Sequence, residues 1–93
     1  MYGFKETVEQ ATASVHTHLD AFYGEDYERL AEQLAGLVSA AKSGSQKAID
    51  GAKAEIHMDW NAMYAPDYDY LAELLDAVVT VAKAEAAGAD AAA

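Results

Sequence analysis

Two histidines, His16 and His57, stand 41 positions apart, each three residues ahead of a Leu or Trp and five ahead of an Ala. Histidines on facing helices are a ligand pair that a haem iron accepts. His16 also has Asp20 one helical turn on, which makes a two-point metal chelate. The second histidine offers only His57 with Asn61, a poorer pair. A di-iron carboxylate site needs Glu-x-x-His on two helices, and Ala13 and Ala54 stand where each Glu belongs. In helical geometry His16 and His57 lie about 100° around from Val15 and Ile56, the centres of their apolar stripes. They are therefore expected on the flank, partly exposed. His18 and Asp59 occupy equivalent positions nearer the core, where a His–Asp contact between the two halves is conceivable. Glu32 and Glu73 fall opposite the apolar stripe and are expected in solvent.

No nucleophile–base–orienter set is evident, and there is no glycine-rich phosphate loop. The chain has no cysteine, which excludes disulfides, thiolate catalysis and cysteine-bound metal. It is expected to be non-enzymatic and to carry no cofactor; a haem- or metal-binding bundle using His16 and His57 is the alternative.

Charge narrows the partners. Sixteen acidic side chains against six basic ones give a formal charge of −10. Such a surface repels phosphate backbones and anionic bilayers, so direct contact with nucleic acid or membrane is not expected. A basic protein is the partner this charge favours. A halophilic origin would explain the same acidity without any partner. The lack of cysteine fits a reducing compartment, the cytoplasm being the expectation. Met1–Glu6 lacks the apolar run of a secretory signal, and no stretch of about 18 apolar residues is available to span a bilayer.

The elements that must position these residues follow from an internal repeat. Shifted by 41 residues, the chain aligns with itself without a gap. Ala11, His16, Ala21, Tyr23, Asp26, Tyr27, Leu30, Glu32, Leu34, Val38 and Lys42 match Ala52, His57, Ala62, Tyr64, Asp67, Tyr68, Leu71, Glu73, Leu75, Val79 and Lys83. The shared block Asp-Tyr-x-x-Leu-Ala-Glu-x-Leu is not a product of alanine content. The expected organisation is one domain over residues 1–93, with repeat 1 at about 4–43, repeat 2 at about 45–84 and an alanine-rich frayed tail at 85–93.

Apolar spacing predicts four helices. The first runs from about Lys5 to Phe22 on Phe4, Val8, Ala11, Val15, Leu19 and Phe22. The second runs from Glu25 to Lys42 on Tyr27, Leu30, Leu34, Leu37, Val38 and Ala41. The third spans about Gln46 to Met63 and the fourth Pro66 to about Glu85, on the corresponding residues. Pro66 suits a first helical position. Gly44 is placed to end the second helix, and Ser45 to cap the third. Short connections between antiparallel neighbours predict an all-α, up-down-up-down four-helix bundle built from a tandem duplicated helical hairpin.

That topology polarises the chain. Both hairpin turns fall at one end, with Tyr23, Glu25, Asp26, Tyr27, Tyr64, Asp67, Tyr68 and Asp69 around them; Lys5, Lys42, Lys47 and Lys83 fall at the other. Acids at helix N-termini serve the helix dipole, but tyrosines among them suggest a docking tip, because tyrosine buries a large area at low entropic cost. These eight residues are the expected contact set for a basic protein surface. Carboxylates can stand in for phosphates, so a nucleic-acid-binding protein inhibited by mimicry is one such partner. A second feature is the stripe Tyr70, Leu74, Ala77 and Val81 on the fourth helix, whose counterparts are Arg29, Gln33, Gly36 and Ala40. Its expected role is either asymmetric packing, beneath the N-terminal segment with Tyr2 and Phe4, or a homodimer or partner face.

Overall fold

A computed structural model describes residues 7–92, with side chains through residue 88, and within this range the chain is all helix and connection. The helices are α1 (Val8–His18), α2 (Gly24–Ser43), α3 (Gln46–Asp59) and α4 (Asp67–Ala92). Phe4, Lys5 and the expected start of the first helix lie outside the described residues, as does Tyr2.

The starts are capped by side chains. The Thr7 hydroxyl accepts from the Gln10 amide at 3.1 Å, and Gln10 Oε1 accepts from the Thr7 amide at 2.8 Å, a reciprocal capping box. Ser45 Oγ accepts from the Ala48 amide at 3.2 Å, as its position ahead of α3 predicts. Gly44, at φ +80°, ends α2 in the left-handed conformation that glycine adopts at no steric cost. α4 begins at Asp67, one residue later than expected, after a cis peptide bond between Ala65 and Pro66. α4 continues through the alanine-rich segment to Ala92, consistent with alanine's helix propensity.

α1 and α3 are shorter than their apolar spacing implies, and both stop by the same device. Asp20 and Asn61 take the left-handed conformation, at φ +58° and +57°. The Ala21 amide then reaches back to the His16 carbonyl, and the Asp20 amide to that of Thr17; Ala62 to His57 and Asn61 to Met58 repeat the pair. This double closure satisfies the last carbonyls of each helix. Phe22 and Met63, expected on the core stripe, fall beyond it and are exposed.

The helices pack as a bundle. α2 and α4 lie together, α1 packs on α4 and α3 on α2, while α1 and α3 do not touch. Contacts within each hairpin, α1 with α2 and α3 with α4, are slighter than those between hairpins. At one end His18 of α1 stacks on Tyr70 of α4, with centroids 5.5 Å apart, while Arg29 of α2 meets Asp59 of α3 at 3.0 Å. At the other, the Val8 amide donates to Glu85 of α4 at 3.1 Å. The turns 19–23 and 60–66 therefore share an end. The core comprises Val15, Leu30, Leu34, Leu37, Ile49, Ile56, Leu71, Leu75 and Val78, with small alanines between them and Val8, Leu19, Trp60 and Leu74 packed at its edge.

A Cβ in the left-handed conformation costs about 1 kcal/mol, which Asp and Asn offset in part with local hydrogen bonds. Asp20→Ala and Asn61→Ala should each destabilise the fold by about 1 kcal/mol in urea denaturation, whereas glycine at either position should not.

Candidate functional site

The two histidines are buried, not partly exposed: His16 keeps 8% of its surface and His57 3%. The flank on which they sit is covered by their own turns and by the next helix. Each Nδ1–H donates to the carbonyl oxygen five residues on, His16 to Ala21 and His57 to Ala62, both at 2.9 Å. The carbonyl can only accept, which fixes the proton on Nδ1. Each imidazole also stacks on the tyrosine that opens the following helix. His16 lies 4.4 Å from Tyr27 and His57 4.1 Å from Tyr68, centroid to centroid, at 23° and 19° between planes. The two rings sit on helices that do not touch and are each bound to their own turn, so the structure does not bring them together around one group. Nor do His18 and Asp59 meet. His18 lies on Tyr70, while Asp59 accepts from Arg29 and, at 2.8 Å, from Gln33 Nε2. Gln33 Oε1 accepts from the Trp60 indole at 2.8 Å, and the Arg29 guanidinium lies 4.5 Å over the Trp60 ring. Glu32 and Glu73 are exposed, as expected.

Around the shared end, Tyr27 and Tyr68 are half-exposed because one face of each covers a histidine. Tyr23 and Tyr64 have no such duty and stand 86% and 84% exposed. Glu25 and Asp26 occupy the first turn of α2, and Asp67 and Asp69 that of α4, all exposed. Arg29 is drawn away from them toward Asp59, with a longer 3.8 Å contact to Asp26. The eight expected contact residues thus flank the two turns, and Phe22 (46% exposed) and Met63 (45%) add apolar surface beside them.

The stripe Tyr70, Leu74, Ala77 and Val81 lies on the side of α4 that receives α1. Tyr70 touches His18, and Glu85, one turn beyond Val81 on the same row, accepts from Val8. Leu74 packs against the core, and Leu74, Ala77 and Val81 are all partly buried. In the other half the corresponding row, Arg29, Gln33, Gly36 and Ala40, faces α3, with polar partners at its turn end.

A groove runs between the helices of each hairpin, and another, of about 1070 Å³, runs between α2 and α3 along Gln33, Gly36, Gly51 and Ala52. The groove between α1 and α2 encloses about 980 Å³, walled by Val8, Ala13, Leu34, Ala35 and Val38 and ending at Phe22 and Tyr27. Its counterpart along α3, beside His57 and Tyr68, is only about 380 Å³. Lys53 of that helix is bonded across to Asp76 of α4. At the equivalent places in the first half stand Thr12 and Ala35, which cannot form that latch. The grooves were not foreseen from sequence, although the loss of one ion pair between aligned halves was a visible sign. No helix of the described residues is long and apolar enough to cross a membrane.

Comparison of the chain with protein-family models, characterised proteins and solved structures finds no match.

Leu74→Gln with Val81→Gln should lower unfolding free energy by about 2 kcal/mol, because both remove apolar contact with α1. Native mass should not change; a lower native mass with stability retained would identify the stripe as a subunit interface instead.

Proposed function

We propose that this protein is a non-enzymatic docking module, an up-down-up-down bundle of two duplicated hairpins whose shared turn end binds a basic surface on another protein. The observation that carries this reading is the exposure of Tyr23 and Tyr64. These two large side chains recur at equivalent places, contribute nothing to the core, and stand beside first-turn carboxylates. A side chain kept in the open at such a position costs solubility without stabilising the fold, and aromatic residues ringed by charge are the composition of a protein-binding surface.

The carboxylates of Glu25, Asp26, Asp67 and Asp69 would supply attraction and orientation, and the tyrosine rings the buried area. Arg29, the one arginine of the chain, is occupied with Asp59 and leaves the tip negative. Tyr27 and Tyr68 would contribute their outer faces. Phe22, which ends the groove between α1 and α2, makes an apolar strip continuous with the tip. A partner that ordinarily holds nucleic acid suits this surface best, since its site already pairs cations with apolar or stacking contacts. The protein would then act by occupying that site.

Capture with the tagged protein from lysate of its source tests the proposal. A basic protein should be retained at about 0.1 M salt and released near 1 M, where the Debye length contracts to about 3 Å. Added duplex DNA should displace it. Asp26→Asn, Asp67→Asn and Asp69→Asn together, or Tyr23→Ala with Tyr64→Ala, should each reduce retention at least about tenfold, a loss of about 1.4 kcal/mol in binding. Equal retention by both variants would overturn the assignment.

A further inference from the structure

Among the described residues one buried side-chain nitrogen has no hydrogen-bond partner: Nε2 of His57. Its tautomer is set from the other side of the ring. Nδ1 carries the proton and donates to the Ala62 carbonyl at 2.9 Å, so in the neutral imidazole Nε2 holds the lone pair. An imidazole whose one nitrogen donates to a backbone carbonyl while the other presents its lone pair is the arrangement of a metal-ligating histidine. Leaving such an acceptor buried and unused is costly.

The cavity beside this ring is lined by two thioethers, Met58 and Met63, with Asp50 also on its wall. The same cavity carries Lys53, whose ammonium is bonded to Asp76. The chain contains three methionines in all, and two of them line the cavity that His57 also lines. In the first half the equivalent positions are Thr17 and Phe22, beside His16. That groove therefore has the imidazole but no sulfur donor.

From these observations we infer that His57, Met58 and Met63 form a binding site for a soft monovalent cation, copper(I). Thioether sulfur and imidazole nitrogen are the donors that favour this ion over magnesium, calcium or manganese, which take oxygen. Zinc sites built without cysteine draw on several histidines or carboxylates, and none is grouped here: no cluster of three His, Asp or Glu side chains is placed to hold a metal among the described residues. All three proposed ligands are neutral, so a single positive charge enters without displacing a proton from any of them. The formal charge of −10 draws a cation toward the protein, and Asp50 does so locally. Binding requires the cavity wall to open over the buried Nε2 and the two exposed methionine side chains to turn toward it, while the ring is held by its carbonyl and by Tyr68.

The test is anaerobic transfer of copper(I) from a chromophoric chelator to the protein, followed by the chelator's absorbance, with silver(I) as an air-stable probe for NMR. One equivalent should be taken up. With methyl-labelled methionine, silver should shift the Met58 and Met63 signals and leave Met1 in place. Met58→Leu with Met63→Leu changes exposed side chains of similar size and should preserve the helical circular dichroism. It removes two of the three proposed ligands and should weaken copper(I) binding at least about 100-fold, the upper end of what loss of a group that merely supports a ligand costs. His18→Asn, at an exposed imidazole outside the cavity, serves as the control and should leave the affinity unchanged. Failure to take copper from the chelator, unaltered affinity in the double leucine variant, or equal shifts of all three methionines would each overturn the site.

Discussion

The bond from each buried imidazole to the carbonyl of its own turn is the constraint on which the arrangement rests. A helix that ends leaves carbonyls needing donors, and a chain that reverses within five residues leaves a further carbonyl facing the interior. His16 and His57 supply that donor to Ala21 and Ala62, so the turn closes beneath the side chain and not in water. The left-handed Asp20 and Asn61 make the reversal, and the histidine holds it. Tyr27 and Tyr68 then lie on the imidazoles and fix where the second helix of each hairpin begins. Such aromatic pairs contribute about 0.5–1.5 kcal/mol beyond the area they bury. Helix end, turn and next helix start are therefore joined through one ring.

What the lock does not supply is a tight interface within the hairpin. α1 rests on α4 and α3 on α2, so each half is completed by the other. At the turn end, equivalent positions of the two halves make different contacts. His18 on Tyr70 in one place corresponds to Asp59 on Arg29 in the other: the same geometry filled once by ring stacking and once by an ion pair. Likewise Leu74, set against the core, stands where the other half uses Gln33 to join Asp59 and Trp60. The apolar stripe of α4 is thus one solution to a packing requirement that α2 meets with polar groups.

Most of the helix content was legible in the sequence, because apolar spacing, Gly44 and Ser45 each report a local physical preference. The inner helix ends were not. Periodicity carried α1 and α3 on to Phe22 and Met63, and the signal against it was a single Asp20 or Asn61 at matching positions, residues that tolerate the left-handed conformation. For the histidines the sequence carries the position but not the burial. Their angle from Val15 and Ile56 gave the flank correctly, yet the flank is covered by a turn that helical projection does not represent. The pairing of helices across the halves was hidden for a similar reason: a stripe reveals which face is apolar, not which helix receives it. Grooves are harder still, since they are defined by contacts that are missing.

The same lock separates what the fold requires from what it leaves over. Tyr27 and Tyr68 have a structural reason to sit at the turn end, and so do the acids of the first helical turns, which the helix dipole favours whether or not anything binds. Tyr23 and Tyr64 have no such reason, for they touch no buried ring and stand almost fully in solvent. Stability alone would admit smaller polar side chains there. Tyrosine recurs at both places, although the neighbouring contacts differ, a stack against an ion pair and a leucine against a glutamine, and this recurrence is what supports the proposed docking role. The proposed docking surface therefore rests on the two tyrosines more than on the charge around them.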